Sequence, residues 1–391
     1  LDAAQFGAAS PDYSLDNFGP GLNRGVMRSY FNDNRESLEV DSLNSDVESR
    51  GATYVNEEDI FAAYIMGSVD IEKLHLVAGV RYERTDFSTS GMRVELVENE
   101  QTDVEEVVNT PWEAERDYDH WLPSVNARYT FSDKLQLRAA YTQTISRPKF
   151  EDVAAFQIIE SKTEEDDGVF VTEREAEVGN PELQPYEAQN VDLSLEYYPG
   201  DVGVISAGLF YKNIDNFVVY ADVAGTAGWE GFEEVIQPIN GDSADLTGLE
   251  LSWVKAFNNG FIVSANATFT DSEATTFLDG EKFETQLPNQ SDRIGNLTIG
   301  YEANDFSVRL ATTYKSENFE EIDGDMLRFE DDHVQMDFMA RYYINDTMQV
   351  YFNGINLGDE PFYNYFDTRS QNAQYEEYGR TFELGFTWQL N

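Results

Sequence analysis

Apolar and polar residues alternate with a period of two through much of this chain. In one stretch, Val191, Leu193 and Leu195 alternate with Asp192 and Glu196. Successive side chains of a β-strand point to opposite faces, so the alternation predicts a strand with one apolar and one polar face. A strand of a soluble β-sandwich would show the same period, and a single strand therefore leaves the architecture open.

The alternation recurs on both sides of six short polar segments, and each such pair predicts a β-hairpin. A last strand is predicted from Thr381 to Leu390, so six hairpins and one strand give thirteen strands. Connections of two to four residues within the hairpins alternate with connections of roughly 18 to 40 residues between them. The predicted hairpins cover residues 60–82, 120–145, 190–212, 249–270, 297–315 and 334–352.

This arrangement predicts an all-β fold, a transmembrane antiparallel up-and-down β-barrel. The apolar face would meet lipid and the polar face a wet lumen, and closure would leave no unpaired strand edge in lipid. Bacterial barrels have an even number of strands, so thirteen strands predict at least one more upstream of Leu1. The chain starts at Leu1 without an initiator Met or a leader, and we expect a processed or partial chain.

The first part of the chain is predicted separately from the barrel. Residues 1–56 are rich in Asp, Asn, Ser and Gly, which favours a mostly extracellular loop or irregular segment. Residues 26–31 and 37–40 are candidates for short strands within it. Residues 57–391 are predicted to form the transmembrane barrel portion, with short periplasmic turns and long acidic extracellular loops.

Composition narrows the classes of function. Hydrophobic residues make up 41% and aromatic residues 14% of the 391 positions, which excludes a disordered chain despite the net charge of −48. The 74 Asp and Glu residues, against 26 Lys and Arg, would repel phosphates, so nucleic acid is not an expected partner. Cysteine is absent, which excludes disulfides and thiolate metal sites.

Nothing in the sequence predicts an enzyme. The three histidines, His75, His120 and His333, fall in different hairpins, and no cysteine could serve as a nucleophile. The carboxylates at residues 164–167 lie in a strongly acidic segment and are better explained as solvated loop charge. The sequence Asp323-Gly324-Asp325 lacks the further spaced ligands of a calcium loop. The sequence therefore predicts neither a metal site nor a cofactor.

Two groups of residues are candidates for ligand contact or for the lining of the lumen. Aromatic residues on the predicted loops offer flat faces for stacking on sugars or hydrophobic ligands, although packing between loops and the interfacial belt are commoner uses. Charged residues on the polar face would pair across the wall or hold a plug, with ligand contact as the minor alternative. The candidates for ligand contact are Phe217, Tyr220, Trp229, Tyr363, Tyr365 and Phe366. The candidates for the lumen face are Arg81, Glu83, Asp192, Glu196, Glu250 and Arg309.

Six short segments, in this order along the chain, resemble the barrel of TonB-dependent outer-membrane receptors. Each is common alone, and the order of all six makes the resemblance specific. The nearest similarity is to the branch often associated with oligosaccharide uptake. The segments are AGVRYERT at residues 78–85, LPSVN at 122–126, LRAAY to SRP at 137–148, GNP at 179–181, NLGDEP at 356–361 and GRTF at 379–382.

The resemblance implies a 22-stranded barrel, of which this chain would supply the last thirteen strands, with a plug and a TonB box upstream. It implies an active transport receptor in the outer membrane of a Gram-negative bacterium. The implied partners are outer-membrane lipid, the inner-membrane TonB complex and an extracellular small-molecule ligand, either an oligosaccharide or a siderophore or other metal chelate. A passive outer-membrane porin is the alternative. A membrane-embedded hydrolase is a third reading, and it lacks a Ser–His or Asp–His grouping.

Overall fold

The computed structural model describes residues 7–8, 21–38, 40–51, 53–102, 104–166, 169–200, 202–278, 281–323 and 326–389. Its helices are α1 (Arg24–Asn34) and α2 (Ser42–Gly51), with a 3-10 helix at Arg35–Ser37 between them. Its strands are β1 (Gly7–Ala8), β2 (Gly21–Leu22), β3 (Val55–Ile71), β4 (Leu74–Asn99), β5 (Val104–Ser132), β6 (Leu135–Ser146), β7 (Gln157–Asp166), β8 (Val169–Val178), β9 (Tyr186–Gly200), β10 (Gly203–Asp215), β11 (Val218–Asp222), β12 (Glu234–Asn240), β13 (Ser243–Ala256), β14 (Phe261–Leu278), β15 (Glu281–Thr285), β16 (Arg293–Glu302), β17 (Phe306–Lys315), β18 (Asn318–Asp323), β19 (Met326–Glu330), β20 (His333–Asn345), β21 (Met348–Ile355), β22 (Phe362–Phe366), β23 (Asn372–Glu376) and β24 (Thr381–Trp388).

Across the described residues, thirteen strands pair side by side in one antiparallel row, the wall, which curves into a barrel. The six predicted hairpins and the last strand are all present, so the count of thirteen is confirmed. Leu390, the predicted end of the last strand, lies outside the described residues. The order of the wall is β3-β4-β5-β6-β9-β10-β13-β14-β16-β17-β20-β21-β24.

Tight turns join the hairpins of the wall at one end, which we call the short-turn end, and the opposite end is the long-loop end. In the turn from β3 to β4, Glu72 has a φ of 53°, a left-handed conformation that few residues other than glycine adopt. In the turn from β13 to β14, Gly260 has a φ of 91°. A Cβ atom at Gly260 would overlap the carbonyl oxygen of Glu302, so this turn requires glycine.

The apolar face of the wall points outward, as predicted. Val191, Leu193 and Leu195 are 48%, 43% and 43% exposed, whereas the side chain of Glu196 is 18% exposed and pairs with Arg138 on the other face. A soluble sandwich would bury the three apolar residues, because their contact with water is unfavourable. The wall therefore has the face arrangement of a membrane barrel.

Aromatic pairs mark two levels on the outward face of β5. Near the short-turn end, the rings of Tyr129 and Phe131 lie 4.8 Å apart, and further along the strand Trp121 contacts Tyr82 of β4 at 4.9 Å. Trp121 and Tyr129 are eight positions apart, or roughly 26 Å at about 3.3 Å per residue. Because strands of such barrels tilt by about 35–45°, this length corresponds to roughly 20 Å of barrel height, close to the apolar band of about 25 Å between the aromatic girdles of outer-membrane barrels.

Two of the predicted long loops are regular β-structure. The acidic segment at residues 86–117 continues β4 and β5, which pair as far as Asn99 and Val104. The acidic residues 164–166 close the β7–β8 hairpin, and Asp167 lies outside the described residues. The loop prediction failed because a strand beyond the lipid needs no apolar face, so its sequence can be acidic on both sides. These extensions form an outer sheet in the order β5-β4-β7-β8-β12-β11.

The short strands predicted in the first part of the chain are wrong. Residues 26–31 lie in α1, and the described part of residues 37–40 contains no strand. Both helices begin after a residue type that commonly caps helices. The side chain of Asn23 accepts a hydrogen bond from the Val26 amide at 3.1 Å, and the side chain of Asp41 accepts one from the Asn44 amide at 3.0 Å. Asn and Asp favour such positions because they satisfy the free amides of a first turn. Within the described residues, no helix has the length and apolar character needed to cross a membrane.

The buried residues lie mainly at the long-loop end. The wall turns its apolar side chains outward and its inner face is polar, so the buried contacts come from segments that enter the barrel. Residues 147–156, the inner segment, are the main one. One cluster contains Phe87 of the wall, Val153 of the inner segment and Leu183 from the stretch before β9. Four further strands at this end, β18-β19-β22-β23, form a separate rim sheet.

Candidate ligand-binding site

The inner segment is fixed to the inward face of the wall by one arginine. Arg147 follows the end of β6, where Pro148 prevents the strand from continuing as a paired strand. Its Nη2 atom donates to Glu83 Oε2 and to Thr85 Oγ1, both at 2.8 Å. Its Nε atom lies 3.6 Å from Glu58 Oε1. Two wall strands therefore hold the start of the segment.

The end of the inner segment is fixed by backbone bonds. The Ala155 amide donates to Thr89 Oγ1 at 2.9 Å, and the Asn180 amide donates to the Asp152 carbonyl at 2.7 Å. A Cβ atom at Gly179 would overlap the carbonyl oxygen of Ala154. The Gly179-Asn180-Pro181 motif is thus the place where the stretch before β9 packs against the inner segment.

A cavity of about 480 Å³ lies beside the inner segment at the long-loop end. Five parts of the chain line it: the start of the inner segment, the first residue of β9, the beginning of β11, the loop between β15 and β16, and β18. These parts are distant in sequence, and the curvature of the barrel brings them together. The residues that contribute most to its chemistry are Arg147, Lys149, Asp152, Tyr186, Tyr220, Phe319, Glu320 and Glu321.

The cavity has more carboxylates than cations. Asp152 accepts a hydrogen bond of 2.6 Å from the Tyr220 hydroxyl. Partial burial and this carboxylate raise the pKa of Tyr220 far above its usual range, so its hydroxyl stays protonated. Burial also raises the pKa of Glu320, although Arg328 at 3.0 Å opposes the shift. Two basic residues, Arg147 and Lys149, line the cavity. Arg147 is paired with Glu83, whereas Lys149 has no described ion pair.

Of the six aromatic residues predicted for ligand contact, Tyr220 lines the cavity and is 41% exposed. Phe217 is 2% exposed and packs with Ala244 and Ala274, which leaves no face of its ring for a ligand. Trp229 packs edge-on against Phe232 at 5.2 Å and covers a buried cluster of the outer sheet. The sequence marks such rings as large apolar surfaces, and only the tertiary fold decides whether a ring meets ligand or protein.

The other three aromatic residues belong to β22 of the rim sheet and not to the cavity. Tyr365 is buried, stacks on Phe329 at 5.6 Å and donates to Glu317 at 2.9 Å. Tyr363 donates to the Arg369 carbonyl at 2.6 Å, and Phe366 is half-buried. Ligand contact by Tyr363 and Phe366 remains a prediction, whereas Tyr365 is engaged on one face and at its hydroxyl.

The six residues predicted for the lumen face share the inward face of the wall. Several form ion pairs: Arg81 with Glu83 at 2.6 Å, Glu196 with Arg138 at 2.8 Å, and Arg309 with Glu302 at 3.0 Å. Asp192 and Glu250 line a smaller groove of about 310 Å³ on the same face. Among the histidines, His75 lies 2.6 Å from Asp70 and His120 lies 3.2 Å from Glu187, so both are hydrogen-bonded wall residues.

Seven of the eight residues named for the cavity were missed in the sequence, among them Arg147, Lys149, Asp152 and Glu320. Arg147 was part of a recognised motif, and the charge followed at once by a proline was a usable signal for the end of the strand. The other three have no local pattern. The Asp323-Gly324-Asp325 sequence lies partly outside the described residues.

Comparison with known proteins gives the family. The model described as TonB dependent receptor-like, beta-barrel matches residues 3–357. This chain belongs to the TonB-dependent receptor-like β-barrel family. Barrels of this family lie in the outer membrane of Gram-negative bacteria and act as transport receptors. The membership agrees with the outward apolar face and with the thirteen-stranded wall.

Individual relatives of this TonB-dependent receptor barrel are distant. The vitamin B12 transporter BtuB of Photobacterium profundum is 24% identical over 210 residues, covering 52% of this chain and 31% of that protein. The ferric-catecholate import receptor Fiu from K12 E. coli superposes with a TM-score of 0.61 at 16% identity, covering 86% of this chain and 45% of that one. The ferric yersiniabactin receptor FyuA of Yersinia pestis gives 0.58 at 14%, covering 86% and 46%. The chain thus spans less than half the length of these relatives, and the solved structures support the fold alone.

Proposed function

We propose that this chain is the barrel portion of a TonB-dependent transporter that binds a scarce nutrient at the cell surface and imports it into the periplasm. The cavity beside the inner segment carries the proposal, because five parts of the chain that are distant in sequence line its 480 Å³ at the long-loop end. Sites for small ligands are typically clefts of about 300–1,000 Å³ with a few convergent polar groups. Named relatives import vitamin B12 and ferric chelates, which supports nutrient import.

In this proposal the long-loop end faces the cell exterior and the short-turn end faces the periplasm. The outward apolar face contacts outer-membrane lipid, and the two aromatic levels of β5 lie at its two interfaces. Energy comes from the inner-membrane TonB complex, which would act through a region that precedes the barrel. The inner segment lies inside the barrel, and this arrangement favours a gated receptor over an open pore.

The charges of the cavity favour a neutral, hydroxyl-rich ligand such as an oligosaccharide over an anionic ferric chelate. Carboxylates accept strong hydrogen bonds from hydroxyl groups, and the Tyr220 ring offers a face for stacking. Glu320, Glu321 and Asp152 would repel a ligand of negative charge, and the net charge of −48 adds to this repulsion at longer range. The single positive charge of Lys149 would not offset the repulsion of an anionic ligand by these three carboxylates.

A titration of the purified full-length receptor tests the class of ligand. Maltotriose and ferric enterobactin serve as the neutral and the anionic probe, and isothermal titration calorimetry measures both. We expect maltotriose to bind and Tyr220→Ala to weaken it roughly tenfold, as loss of one stacking ring costs about 1.4 kcal/mol. Tyr378→Ala is the control, because Tyr378 is exposed and outside the cavity. Tighter binding of ferric enterobactin would show that the charge argument selects the wrong class.

A transport assay separates the receptor from the passive porin. Cells that produce the full-length receptor are tested for uptake of the bound probe with and without a functional TonB complex. A TonB-dependent transporter loses uptake when TonB is absent, whereas diffusion through a porin continues. Uptake that is unchanged without TonB would overturn the proposed mechanism and leave the binding site to be explained separately.

A further inference from the structure

Strand β5 has a long edge without a partner strand. Its pairing with β4 is continuous from Val104 to Tyr129, whereas its pairing with β6 begins only at Ser124. Within the described residues, no strand pairs with residues 104–123 on the side of β6. This side, the free edge, lies at and beyond the aromatic level of Trp121, and the proposed membrane location therefore leaves it in water.

Alternate residues of β5 direct their backbone N–H and C=O groups to the free edge. In an antiparallel sheet both groups of a residue point to the same neighbouring strand, and the side alternates along the chain. The Thr130 amide donates to the Lys73 carbonyl of the β3–β4 turn at 2.9 Å, so even-numbered residues bond to β4 and odd-numbered residues face the free edge. Pro111 and Pro123 are both odd-numbered, which agrees, because a proline has no N–H for the ladder with β4.

The two prolines delimit a window for an added strand, residues 112–122, which we call the edge window. It is roughly 36 Å long at about 3.3 Å per residue. Its odd-numbered residues have free backbone groups, and their side chains are on the outward face with Trp121. Four of these five side chains are carboxylates. The odd-numbered residues of the edge window are Glu113, Glu115, Asp117, Asp119 and Trp121.

The charge of the edge window determines which strand can pair with it. A second copy of this chain would bring four carboxylates against four carboxylates, and like charges in opposite positions destabilise a strand pair. A strand with lysine or arginine at every second position would instead place cations opposite the carboxylates. Charged edges commonly prevent self-association, and the same charges here favour a cationic partner.

The inward side of the edge window also has unsatisfied groups. Arg116 lies at its centre, and the guanidinium is 4.9 Å from the Tyr118 ring. Its Nε and Nη1 atoms are buried and have no hydrogen-bond partner in the part of the chain that the structure describes. Buried donors without an acceptor are costly. An added strand would place a side chain directly opposite Arg116, and a hydroxyl or amide oxygen there would supply an acceptor.

A cavity of about 270 Å³ lies at the foot of the edge window, where β5 and β6 separate. Three carboxylates line it, and its described lining contains no lysine or arginine. His120 pairs with one of them, Glu187, at 3.2 Å. The described linings of this cavity and of the cavity beside the inner segment have no residue in common. The cavity suits a cationic side chain at the end of an added strand. The three carboxylates are Asp119, Glu187 and Asp215.

We propose that the free edge of β5 is a strand-addition site for a cationic, extended polypeptide outside the cell. The added strand is antiparallel to β5, as β6 is further down the wall. Its lysine or arginine side chains lie outward, opposite the carboxylates, and one of them enters the 270 Å³ cavity. The partner is a polypeptide and the nutrient cavity is a different site, so either proposal can fail without the other.

Three synthetic ten-residue peptides test the pairing. The first alternates lysine and threonine. The second has an N-methyl group on a central lysine, whose N–H would face β5, because directly opposite residues of an antiparallel pair share one orientation. The third has the N-methyl group on a central threonine, whose N–H would face away. Fluorescence anisotropy measures binding to the purified full-length receptor at physiological ionic strength, and we expect only the second peptide to bind at least tenfold more weakly.

A proline substitution tests the same contact from the receptor side. Glu115→Pro removes an N–H from the free edge without removing a bond to β4. It should weaken binding of the first peptide roughly fivefold or more, which corresponds to about 1 kcal/mol. Glu105→Pro is the matched control, because Glu105 also faces the free edge but lies on the other side of Pro111. Circular dichroism and thermal unfolding establish that both variants fold.

Equal binding of the second and third peptides would show that charge alone attracts them, which overturns strand addition. Equal binding of the first peptide by the two proline variants, or no binding of it to the unchanged receptor, has the same meaning. Hydrogen exchange gives an independent readout: the odd-numbered amides from Glu113 to Trp121 should exchange fast in the free receptor and slowly with the first peptide. Slow exchange without peptide would show that another part of the full-length protein covers the free edge, and this also overturns the proposal.

Discussion

At the scale of single residues, the shape of the cavity depends on a few polar contacts. The inner segment makes no strand pairing within the described residues, so Arg147, Thr89 and Asn180 hold it through individual hydrogen bonds. Glu83 forms ion pairs with two arginines: Arg147 of the inner segment and Arg81 of its own strand. These two arginines differ in burial, and the difference allows a matched comparison.

Arg147→Ala should destabilise the protein by about 2 kcal/mol. The substitution removes one of the two arginines that bind the partly buried Glu83 and the cation 3.6 Å from the partly buried Glu58, and loss of a hydrogen bond between charged groups costs roughly this much. Urea unfolding in detergent measures the change, and limited proteolysis should cut within residues 147–156. Arg81→Ala is the control, since its side chain is 44% exposed and an exposed pair contributes at most about 1 kcal/mol. Equal effects of both substitutions would refute the role given to Arg147.

Gly179→Ala should destabilise by about 1–3 kcal/mol, because the new Cβ atom would meet the Ala154 carbonyl and push the inner segment away. Gly67→Ala in β3 is the matched control: no atom lies within 4 Å of its added Cβ, so the change there should be neutral or slightly stabilising. Thermal unfolding of the two variants checks the difference. A neutral Gly179→Ala would mean that the two segments are not in close contact.

At the scale of elements, the rim sheet combines stacked rings with a dense ion-pair network. Phe319, Phe329 and Tyr365 form consecutive ring contacts of 5.9 and 5.6 Å. Arg369, in the turn between β22 and β23, lies 2.6 Å from Asp331 and 3.3 Å from Glu317. Burial raises the pKa of Asp331, and the nearby Arg369 opposes this shift. The rim sheet is therefore the element in which pH should act most visibly.

Alkaline pH should destabilise the rim sheet through Tyr365. Burial, together with the hydrogen bond to Glu317, raises the pKa of Tyr365 from 10.0 to about 12. A raised pKa means that this contribution to stability is complete below pH 10 and is lost as the pH rises through about 12. Hydrogen exchange of the rim sheet, measured between these values, should show the loss.

Two phenylalanine substitutions provide the comparison for this pH effect. Tyr365→Phe removes the titrating hydroxyl and should flatten the pH dependence in that window. Tyr363→Phe in the same strand removes a hydroxyl that binds a backbone carbonyl and should keep the pH dependence. If both variants keep it, Tyr365 does not cause the loss.

At the scale of the whole molecule, charge repulsion opposes folding. The net charge of −48 is concentrated in part on the outward face beyond the aromatic level of Trp121. There Asp59, Asp86 and Asp117 lie directly opposite one another on three adjacent strands. Arg84 pairs with Asp86 at 2.9 Å and approaches Asp117 at 3.7 Å. Like charges in opposite positions destabilise a sheet.

Added salt should therefore raise the melting temperature. Screening shortens the Debye length from about 30 Å at 0.01 M to about 3 Å at 1 M, which weakens long-range repulsion more than close ion pairs. Asp59→Asn should raise stability by a few tenths of a kcal/mol at low salt and reduce the effect of salt. Asp133→Asn, in the turn between β5 and β6, serves as the control. A melting temperature that falls with salt would show that ion pairs outweigh the repulsion.

The sequence by itself determined the wall. Alternation assigns each side chain to a face before any contact is known, and turn residues such as Gly260 end each strand, so the thirteen strands and the outward position of Leu193 and Leu195 follow from local pattern. The same alternation puts the charged residues predicted for the lumen on the opposite face of the wall. The residues that cap α1 and α2, Asn23 and Asp41, are also visible in the sequence. The polar composition around them nevertheless favoured the prediction of a loop.

Only the tertiary structure decided the cavity and the roles of the loops. Tyr220 lines the cavity and Phe217, three positions away, is in the core, although both are aromatic residues of the same predicted loop. Arg147, Lys149 and Glu320 meet because the wall curves, and curvature is a sum over many strands that no single stretch encodes. The acidic extensions became strands because a partner strand was available beside them. Strand pairing and ring packing are non-local, and for that reason the sequence predicts the wall better than the site that it encloses.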